Sequence, residues 1–305
     1  MYLDSLRNWN PRDHEGVTYD VFITFFTDEP RSLFYLQNFN GDSVKKFALA
    51  AGDISDSLSL AIEEHGFFRI NPDHIASSLI SAVSSLSVRT NILIDIACMP
   101  REIMAEVLAC LLSIGASRPI CLRVVYTIAK YTLPPSDIRA NESIEAVHSA
   151  FSGWSYADSK PTSLVLGLGY EPFKAEGASE YFEPYEQWVF IPESPVLEYL
   201  PKVLSNNEEL ISRNHIENKV VRYRVDDPEF TFGQLEQVVS SLIVTTNPVL
   251  MPFGPKIFFF LCLIQSVSHP EVGVWQVTDN NLGVSTGGEA SEYSFGIECV
   301  FVSLA

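Results

Sequence analysis

The residues best placed to do chemistry form a short motif that occurs twice, where an apolar segment gives way to a helix. The first copy is Asp95-Ile96-Ala97-Cys98-Met99-Pro100-Arg101, and the second is Phe253-Gly254-Pro255-Lys256. Proline costs no hydrogen bond in the first turn of a helix, and the exposed amides there attract anions. A cation at this position slightly opposes the helix dipole. Arg101 and Lys256 are therefore predicted to hold a phosphate or another anion, the alternative being two solvated surface cations.

Further candidates flank these two turns. Asp95 ends its predicted strand and could accept a ribose hydroxyl, contact an amine, or cap the turn. Thr90 and Asn247, from the Thr-Asn pairs that open the two strands, are predicted to frame the pocket. Gly254 would let the backbone approach a phosphate closely.

Cys98 stands at a helix start, a position that can activate a thiol as a nucleophile. Its counterpart in the second copy is Gly254, so the shared geometry needs no thiol. We therefore expect Cys98 to be a small residue of the ligand site rather than a catalytic group.

Two carboxylates, Glu29 and Glu171, each precede a proline after an apolar run. They are the candidates for a general base if the chain is an enzyme, and for ligand contacts otherwise. The histidines show no metal-ligand spacing and the cysteines no Cys-x-x-Cys pair, so we predict no metal site, no cofactor and five reduced thiols.

Both motifs lie within an internal repeat. Val83–Asn91 matches Val239–Asn247 at seven of nine positions with an offset of 156 residues. A second and shorter repeat, the Glu-Pro echo, relates two apolar runs that each lead into a Glu-Pro pair. Tyr19–Phe26 leads to Glu29-Pro30-Arg31, and 163–169 leads to Glu171-Pro172-Phe173-Lys174. Repeated supersecondary units of this kind indicate a duplicated fold.

Short apolar segments alternate with helical spacing in each copy, a pattern typical of βαβ units. We therefore predict an α/β fold of two tandem Rossmann-like halves with mainly parallel sheets. The halves would span 1–140 and 161–305, joined by a linker at 141–160. A last strand near 293–302 is expected at an antiparallel edge of the second half. The wholly apolar helix at 257–264 is expected to be buried, either in the core or between the halves, and we favour the second.

Composition narrows the function classes. A net charge of −18 argues against general nucleic-acid binding, which depends on cations that neutralise phosphates. No apolar run approaches the length of a membrane span, and the first residues lack a signal-peptide pattern, so we expect a cytoplasmic protein without a membrane contact. The aromatic, glutamate-rich stretch 170–188 could stack a base, anchor a protein partner, or pack over the sheet edge.

The segment Asp95–Met104 resembles the strand-turn-helix motif of the CARF family, the CRISPR-associated Rossmann-fold sensor domains. Asp95, Ala97, Arg101 and Met104 fit that pattern, whereas Cys98-Met99-Pro100 replaces its Gly-Gly-Thr. The resemblance implies paired domains that bind a cyclic oligonucleotide between them, and a role as sensor, signal degrader or regulatory subunit in a prokaryotic defence assembly.

Three functions remain open at this point. The favoured one is a non-catalytic sensor or regulatory module that binds a nucleotide or another anion between the two halves. The second is an enzyme acting on a nucleotide or phosphodiester. The third is a subunit that binds other proteins and no small ligand.

Overall fold

The computed structural model describes residues 1–14, 17–50, 54–83, 89–114, 118–133, 143–153, 159–278 and 288–303. The chain divides into two compact units. Unit 1 comprises Met1–Lys130 together with Gly283–Ala305, and unit 2 comprises Tyr131–Leu282. None of the helices in the described ranges is long and apolar enough to span a lipid bilayer.

Unit 1 is an α/β sheet with helices between its parallel strands. Its strands are β1 (Tyr2–Trp9), β2 (Thr18–Phe25), β3 (Asp42–Leu49), β4 (Phe68–Ile70), β5 (Thr90–Asp95), β6 (Ile120–Ala129) and β13 (Ala290–Val302). Its helices are α1 (Arg31–Asn38), α2 (Asp56–Glu64), α3 (Ile75–Val83) and α4 (Arg101–Ile114), and a 3-10 turn, Pro72–His74, precedes α3.

The strands of unit 1 lie in the order β1-β13-β6-β5-β2-β3-β4. Strands β6, β5, β2, β3 and β4 run parallel, whereas β13 is antiparallel to both β6 and β1. Strand β5 is almost wholly buried, as expected of a parallel strand covered on both faces. Helix α4 buries Met104, Val107, Leu108 and Leu111, which lie on one face of the helix.

Unit 2 repeats this plan. Its strands are β7 (Ser143–Ala146), β8 (Thr162–Gly167), β9 (Glu186–Glu193), β10 (Val220–Arg224), β11 (Asn247–Pro252) and β12 (Gly273–Thr278). Its helices are α5 (Lys174–Phe182), α6 (Tyr199–Asn206), α7 (Glu208–Ile216), α8 (Pro228–Leu242) and α9 (Lys256–Ser268), with a 3-10 turn at Ser149–Phe151. Asp227 caps α8 by accepting a hydrogen bond from the Phe230 amide, and Pro228 opens that helix.

The strand order β10-β9-β8-β11-β12-β7 of unit 2 mirrors β4-β3-β2-β5-β6-β13 of unit 1. In each unit the first five of these strands are parallel and the sixth is antiparallel. The predicted α/β fold of two Rossmann-like halves with mainly parallel sheets is thus confirmed.

Strand register supports both sequence echoes. Thr24 pairs with Asp95 in unit 1, and Leu166 pairs with Met251 in unit 2. Asp95 and Met251 are 156 residues apart, the offset of the longer repeat. Thr24 and Leu166 are 142 residues apart, which is also the separation of Glu29 from Glu171. The shorter Glu-Pro echo therefore marks equivalent turns.

The two units exchange their antiparallel strands. Strand β7 follows β6 in the chain but pairs with β12, and β13 follows β12 but pairs with β6. The stretch 141–160, predicted to be a linker, carries β7 of unit 2 at Ser143–Ala146. The last strand was also misplaced, since β13 is an inner strand of unit 1 flanked by β1 and β6.

Helix α9 is buried from Ile257 to Ser266 and packs within unit 2. It packs on α8, β11, β12 and the turn Ser149–Phe151, and the ring of Phe258 stacks on Tyr223 with centroids 4.6 Å apart. These contacts bury α9 in the core of unit 2. Four of the cysteines, Cys98, Cys121, Cys262 and Cys299, are buried as expected, and Cys110 is half-buried.

A chain of hydrogen bonds runs through the core of unit 1 around His14. Arg123 Nη1 donates to Tyr19 Oη at 3.1 Å, and the His14 ring nitrogens each lie 3.0 Å from a phenol oxygen, that of Tyr19 or Tyr35. Tyr35 Oη donates to the Pro11 carbonyl at 3.2 Å. A neutral His14 that accepts from Tyr19 and donates to Tyr35 satisfies every group in this chain, and burial lowers the pKa of His14.

Candidate functional site

The candidate site lies at the carboxyl ends of β2 and β5 in unit 1. From β2 the sheet order runs outward through β3 and β4, and from β5 it runs the opposite way through β6, so this is the topological switch point. Open α/β sheets bind their ligands at such a point because two diverging turns leave a crevice there. The β2–α1 turn supplies Glu29 and Arg31, and the β5–α4 turn supplies Asp95 and Cys98.

A buried ion pair forms the centre of the site. Arg31 Nη2 lies 3.3 Å from Glu29 Oε2, and the two side chains are 8 % and 5 % exposed. Arg31 Nη1 donates to the Thr127 carbonyl at 3.5 Å, while its Nε has no hydrogen-bond acceptor among the described residues. One N–H group of the buried Arg31 guanidinium is thus without an acceptor among the described residues.

Cys98 completes this cluster. Its Sγ donates to Glu29 Oε2 at 3.8 Å. Burial opposes the charge of Arg31, but its interactions with Cys98, Tyr126 and Glu29 outweigh burial and raise the pKa of Arg31. The guanidinium, the thiol and the carboxylate therefore act on one another directly.

Asp95 and Gly288 shape the cluster from two sides. Asp95 is buried, and its Oδ1 accepts from the Ala97 amide at 2.9 Å, so it caps the turn that carries Cys98. The Gly288 carbonyl accepts from the Arg31 amide at 3.4 Å. A Cβ at residue 288 would lie 2.7 Å from Glu29 Oε2, so only glycine fits there without moving the carboxylate.

The equivalent position in unit 2 lacks this cluster. By strand register, Glu171 is equivalent to Glu29, Phe173 to Arg31, and Gly254 to Cys98. Glu171 is exposed, and Phe173 is 58 % exposed with a φ of 63°. In the described part of unit 2, no ion pair stands where Glu29 and Arg31 stand in unit 1.

Backbone fills the switch point of unit 2 instead. A Cβ at Gly254 would lie 2.5 Å from the Leu168 carbonyl oxygen, and one at Gly169 would lie 2.6 Å from the Phe253 carbonyl oxygen. The Phe253 and Gly254 amides both donate to the Gly167 carbonyl, at 2.7 and 3.1 Å. Gly254 therefore serves close packing of two turns, and this contact leaves no room for a phosphate between them.

Thr90 and Asn247, predicted to frame the pocket, each lie at the start of a strand, at the end opposite to its carboxyl end. Thr90 opens β5 and Asp95 closes it, so the two lie about 16 Å apart at opposite edges of the sheet. Asn247 likewise opens β11, where its amide donates to the Pro161 carbonyl at 2.9 Å and its side chain to the Lys160 carbonyl at 3.2 Å. Both residues support strand starts.

The remaining predicted residues divide between the units. Glu29, Asp95, Cys98 and Arg101 belong to unit 1, and Arg101 is the half-buried first residue of α4. Glu171, Gly254 and Lys256 belong to unit 2, where Lys256 opens α9.

Arg31 was missed by the sequence analysis although it stands in the Glu29-Pro30-Arg31 motif. A basic residue directly after a Glu-Pro pair, at the start of a helix, was the signal that could have identified it.

The aromatic stretch of unit 2 divides into packed and exposed rings. Tyr170 packs beside Tyr199 with centroids 5.4 Å apart, and Phe182 packs edge-on against Trp275 at 5.5 Å. Tyr181 and Tyr185 are 63 % and 75 % exposed. Part of this stretch thus stabilises its own unit, and part faces outward.

Comparisons with known proteins identify no family. No protein-family model matches the chain, and no curated protein matches it in sequence. A solved structure, the cytoplasmic domain of a prokaryotic cation chloride cotransporter, aligns over 86 % of this chain and 96 % of its own with 10 % identity. Its TM-score is 0.22, too low for any property of that domain to be transferred. Among the described residues, no group of three or more His, Cys, Asp or Glu side chains could hold a metal ion.

Proposed function

We propose that the chain is a cytoplasmic ligand-sensing or regulatory protein whose site is the switch point of unit 1. The ligand is a nucleotide or another compound with a phosphate or carboxylate group. The observation that carries this proposal is the buried Arg31, which keeps one N–H without an acceptor where α/β sheets bind ligands. An anionic oxygen would satisfy that N–H.

The contrast between the units supports a role beyond folding. Burying a guanidinium and a carboxylate costs desolvation energy that their attraction only partly offsets. Unit 2 forms the same strand order with an exposed Glu171, an exposed Phe173 and Gly254 at the matching positions. The fold therefore does not require the polar cluster of unit 1.

Arg101 is proposed as the second contact of the anion. It opens α4, whose first amides carry the partial positive charge of the helix dipole. The resemblance of Asp95–Met104 to CARF domains favours a cyclic oligonucleotide as ligand, and a prokaryotic defence assembly as the setting.

Calorimetric titration of the full chain tests this function. The probes are linear and cyclic di-, tri- and tetra-adenylates, with inorganic phosphate as the minimal anion. Arg101→Ala should weaken binding about 10- to 150-fold, since a hydrogen bond to a charged group contributes about 1.5–3 kcal/mol. The matched control is Lys256→Ala, which alters the same helix position in the other copy and should leave the affinity unchanged.

Two results would contradict the proposal. Equal affinity of Arg101→Ala and the unaltered chain would exclude the helix start as an anion contact. An equal loss in Lys256→Ala would move the site away from unit 1. Chromatography of each probe after incubation separates sensing from the alternative of nucleotide or phosphodiester cleavage.

A protein-interaction role is the second candidate, favoured by the exposed rings of Tyr181 and Tyr185. Aromatic side chains are enriched at the centres of protein interfaces. Substituting both by serine should abolish a complex seen by native mass spectrometry while leaving the melting temperature unchanged.

A further inference from the structure

We infer that a strap of unit 1, Gly288–Glu289, covers the anion site, and that an ion pair between Lys130 and Glu289 latches this strap. The inference rests on the proposed function in one respect, because the ligand would enter when the strap lifts from Arg31. The strap and its latch themselves consist of contacts that form without a ligand.

The strap lies over the unsatisfied N–H of the site. Arg31 Nε is buried, and a Cβ at residue 288 would lie 3.9 Å from it. The same Cβ would lie 2.7 Å from Glu29 Oε2, so the Gly288 backbone packs against both members of the buried ion pair. A hydrogen-bonded oxygen stands about 2.9 Å from its nitrogen. An anion with its own substituents therefore reaches Nε only after this backbone has moved.

The contact between the strap and Arg31 is weak. The Arg31 amide donates to the Gly288 carbonyl at 3.4 Å, which is beyond the usual length of an N–H···O hydrogen bond. Gly288 has no side chain, so it adds no apolar packing. Lifting it breaks one long hydrogen bond and returns water to a charge pair whose burial is costly. The open state is therefore within thermal reach of the folded chain.

The strand that follows the strap is loosely paired at its start. Strand β1 pairs with β13 only from Gly296 onward, so within the described sheet the earlier part of β13 has β6 alone beside it. Between the pairs Ala290–Ala129 and Ser294–Thr127, four steps along β13 correspond to two along β6. Such an irregularity interrupts the ladder of hydrogen bonds and bends the strand. The start of β13 can thus move while its later residues stay in the sheet.

Lys130, the residue after β6, holds the strap closed. Its amide donates to the Glu289 carbonyl at 2.9 Å, and its Nζ lies 2.6 Å from Glu289 Oε2. The two side chains are 61 % and 63 % exposed, so the ion pair can break without exposing apolar surface. An exposed pair of this kind changes an equilibrium by up to about fivefold. The latch therefore sets how often the strap opens and hardly affects whether unit 1 folds.

Hydrogen exchange of the full chain without ligand tests the latch. Exchange is followed at the single amide of Arg31, which the strap carbonyl accepts, by mass spectrometry with fragmentation. Lys130→Glu replaces the ion pair by two like charges, so it should speed exchange of this amide at least about threefold through more frequent local opening. Because both side chains are exposed, the variant is expected to fold.

Two double variants of equal composition separate the latch from net charge. Lys130→Glu/Glu289→Lys restores the ion pair with its partners exchanged, and should return exchange of the Arg31 amide to within about twofold of the unaltered chain. Lys130→Glu/Glu292→Lys has the same net charge, but its new cation replaces an exposed carboxylate that pairs with no described residue. This second variant should exchange as fast as Lys130→Glu alone.

Calorimetric titration with the linear and cyclic adenylates measures the consequence for binding. When the competent state is a minor population, the apparent affinity rises in proportion to that population. Lys130→Glu should therefore tighten binding by the factor by which exchange accelerates, at least about threefold. Coulomb repulsion alone predicts the opposite, because this variant adds negative charge near an anion site.

An unchanged exchange rate of the Arg31 amide in Lys130→Glu, or equal rates in the two double variants, would overturn the latched strap. Faster exchange with unchanged or weaker binding would refute the covering of the site and leave the proposed function standing. Binding of no adenylate by any of these proteins would refute the proposed function, and with it the entry of a ligand beneath the strap.

Discussion

One added methyl group at Gly254 should destabilise the close contact of the two turns at the switch point of unit 2. In Gly254→Ala the new Cβ would lie 2.5 Å from the Leu168 carbonyl oxygen, a distance that no relaxed pair of these atoms adopts. The obstacle is backbone, so no side-chain rotation relieves it. The turn must move, and this movement strains the two hydrogen bonds that the Phe253 and Gly254 amides donate to the Gly167 carbonyl. Overpacking of this kind costs about 1–3 kcal/mol.

Gly233→Ala is the matched control. Gly233 is exposed within α8 and its added Cβ would meet no atom within 4 Å. Replacing glycine by alanine inside a helix should therefore stabilise unit 2 by about 0.5–1 kcal/mol. The same chemical change is thus expected to act with opposite signs at the two positions, with a difference of about 1.5–4 kcal/mol.

Differential scanning calorimetry and urea denaturation of the full chain measure this difference. For a unit of about 150 residues, 1 kcal/mol shifts the melting temperature by about 2–4 °C. Gly169→Ala approaches the same contact from the other turn, where its Cβ would meet the Phe253 carbonyl oxygen. One displacement would relieve both clashes, so the double variant should lose less stability than the sum of the single variants. A stabilising Gly254→Ala, or strict additivity of the pair, would refute the backbone contact.

Two further predictions concern charge in the core of unit 1. Because the pKa of His14 is lowered in the folded state, the unfolded chain takes up this proton at higher pH, and the free energy of unfolding should fall as pH drops below 6.5. Urea midpoints measured between pH 7 and 5 should decline less in His14→Gln than in the unaltered chain. Equal slopes would contradict a neutral His14. Glu298→Gln should lower the free energy of unfolding by about 3 kcal/mol, because this buried carboxylate pairs with Arg123 at 2.7 Å. The exposed Glu289→Gln serves as its control in the same urea titrations and should have no measurable effect, and a Glu298→Gln variant as stable as that control would contradict the pairing.

The duplicated fold could be predicted because its signals are local. Apolar strands such as β5, capped helix starts such as Asp227-Pro228 and the 156-residue offset all follow from neighbouring residues. The strand exchange could not be predicted, since nothing within 143–146 or 290–302 states which distant strand each will pair with. Antiparallel partners of similar apolar pattern are interchangeable at the level of sequence.

The candidate site was predicted only in part, for a related reason. Spacing along the chain placed Asp95, Cys98 and Arg101 on one turn, and the Glu-Pro echo identified Glu29. The pairing of Arg31 with Glu29 and Cys98 depends on β2 lying beside β5, which is a tertiary fact. Thr90 opens β5 and Asp95 closes it, so the length of the strand separates Thr90 from the turn that carries Cys98.

The position of β13 also sets an order of events during synthesis. Unit 2 is one continuous stretch and can close its sheet as soon as β12 has left the ribosome. Unit 1 must wait, because β13 is made after unit 2 and separates β1 from β6. Arg7 of β1 bonds to Glu298 of β13, 291 residues later in the chain, so β1 has no partner strand until β13 has been synthesised. Long-range pairing of this kind slows folding, and the unit that carries the buried cluster is therefore the last to assemble.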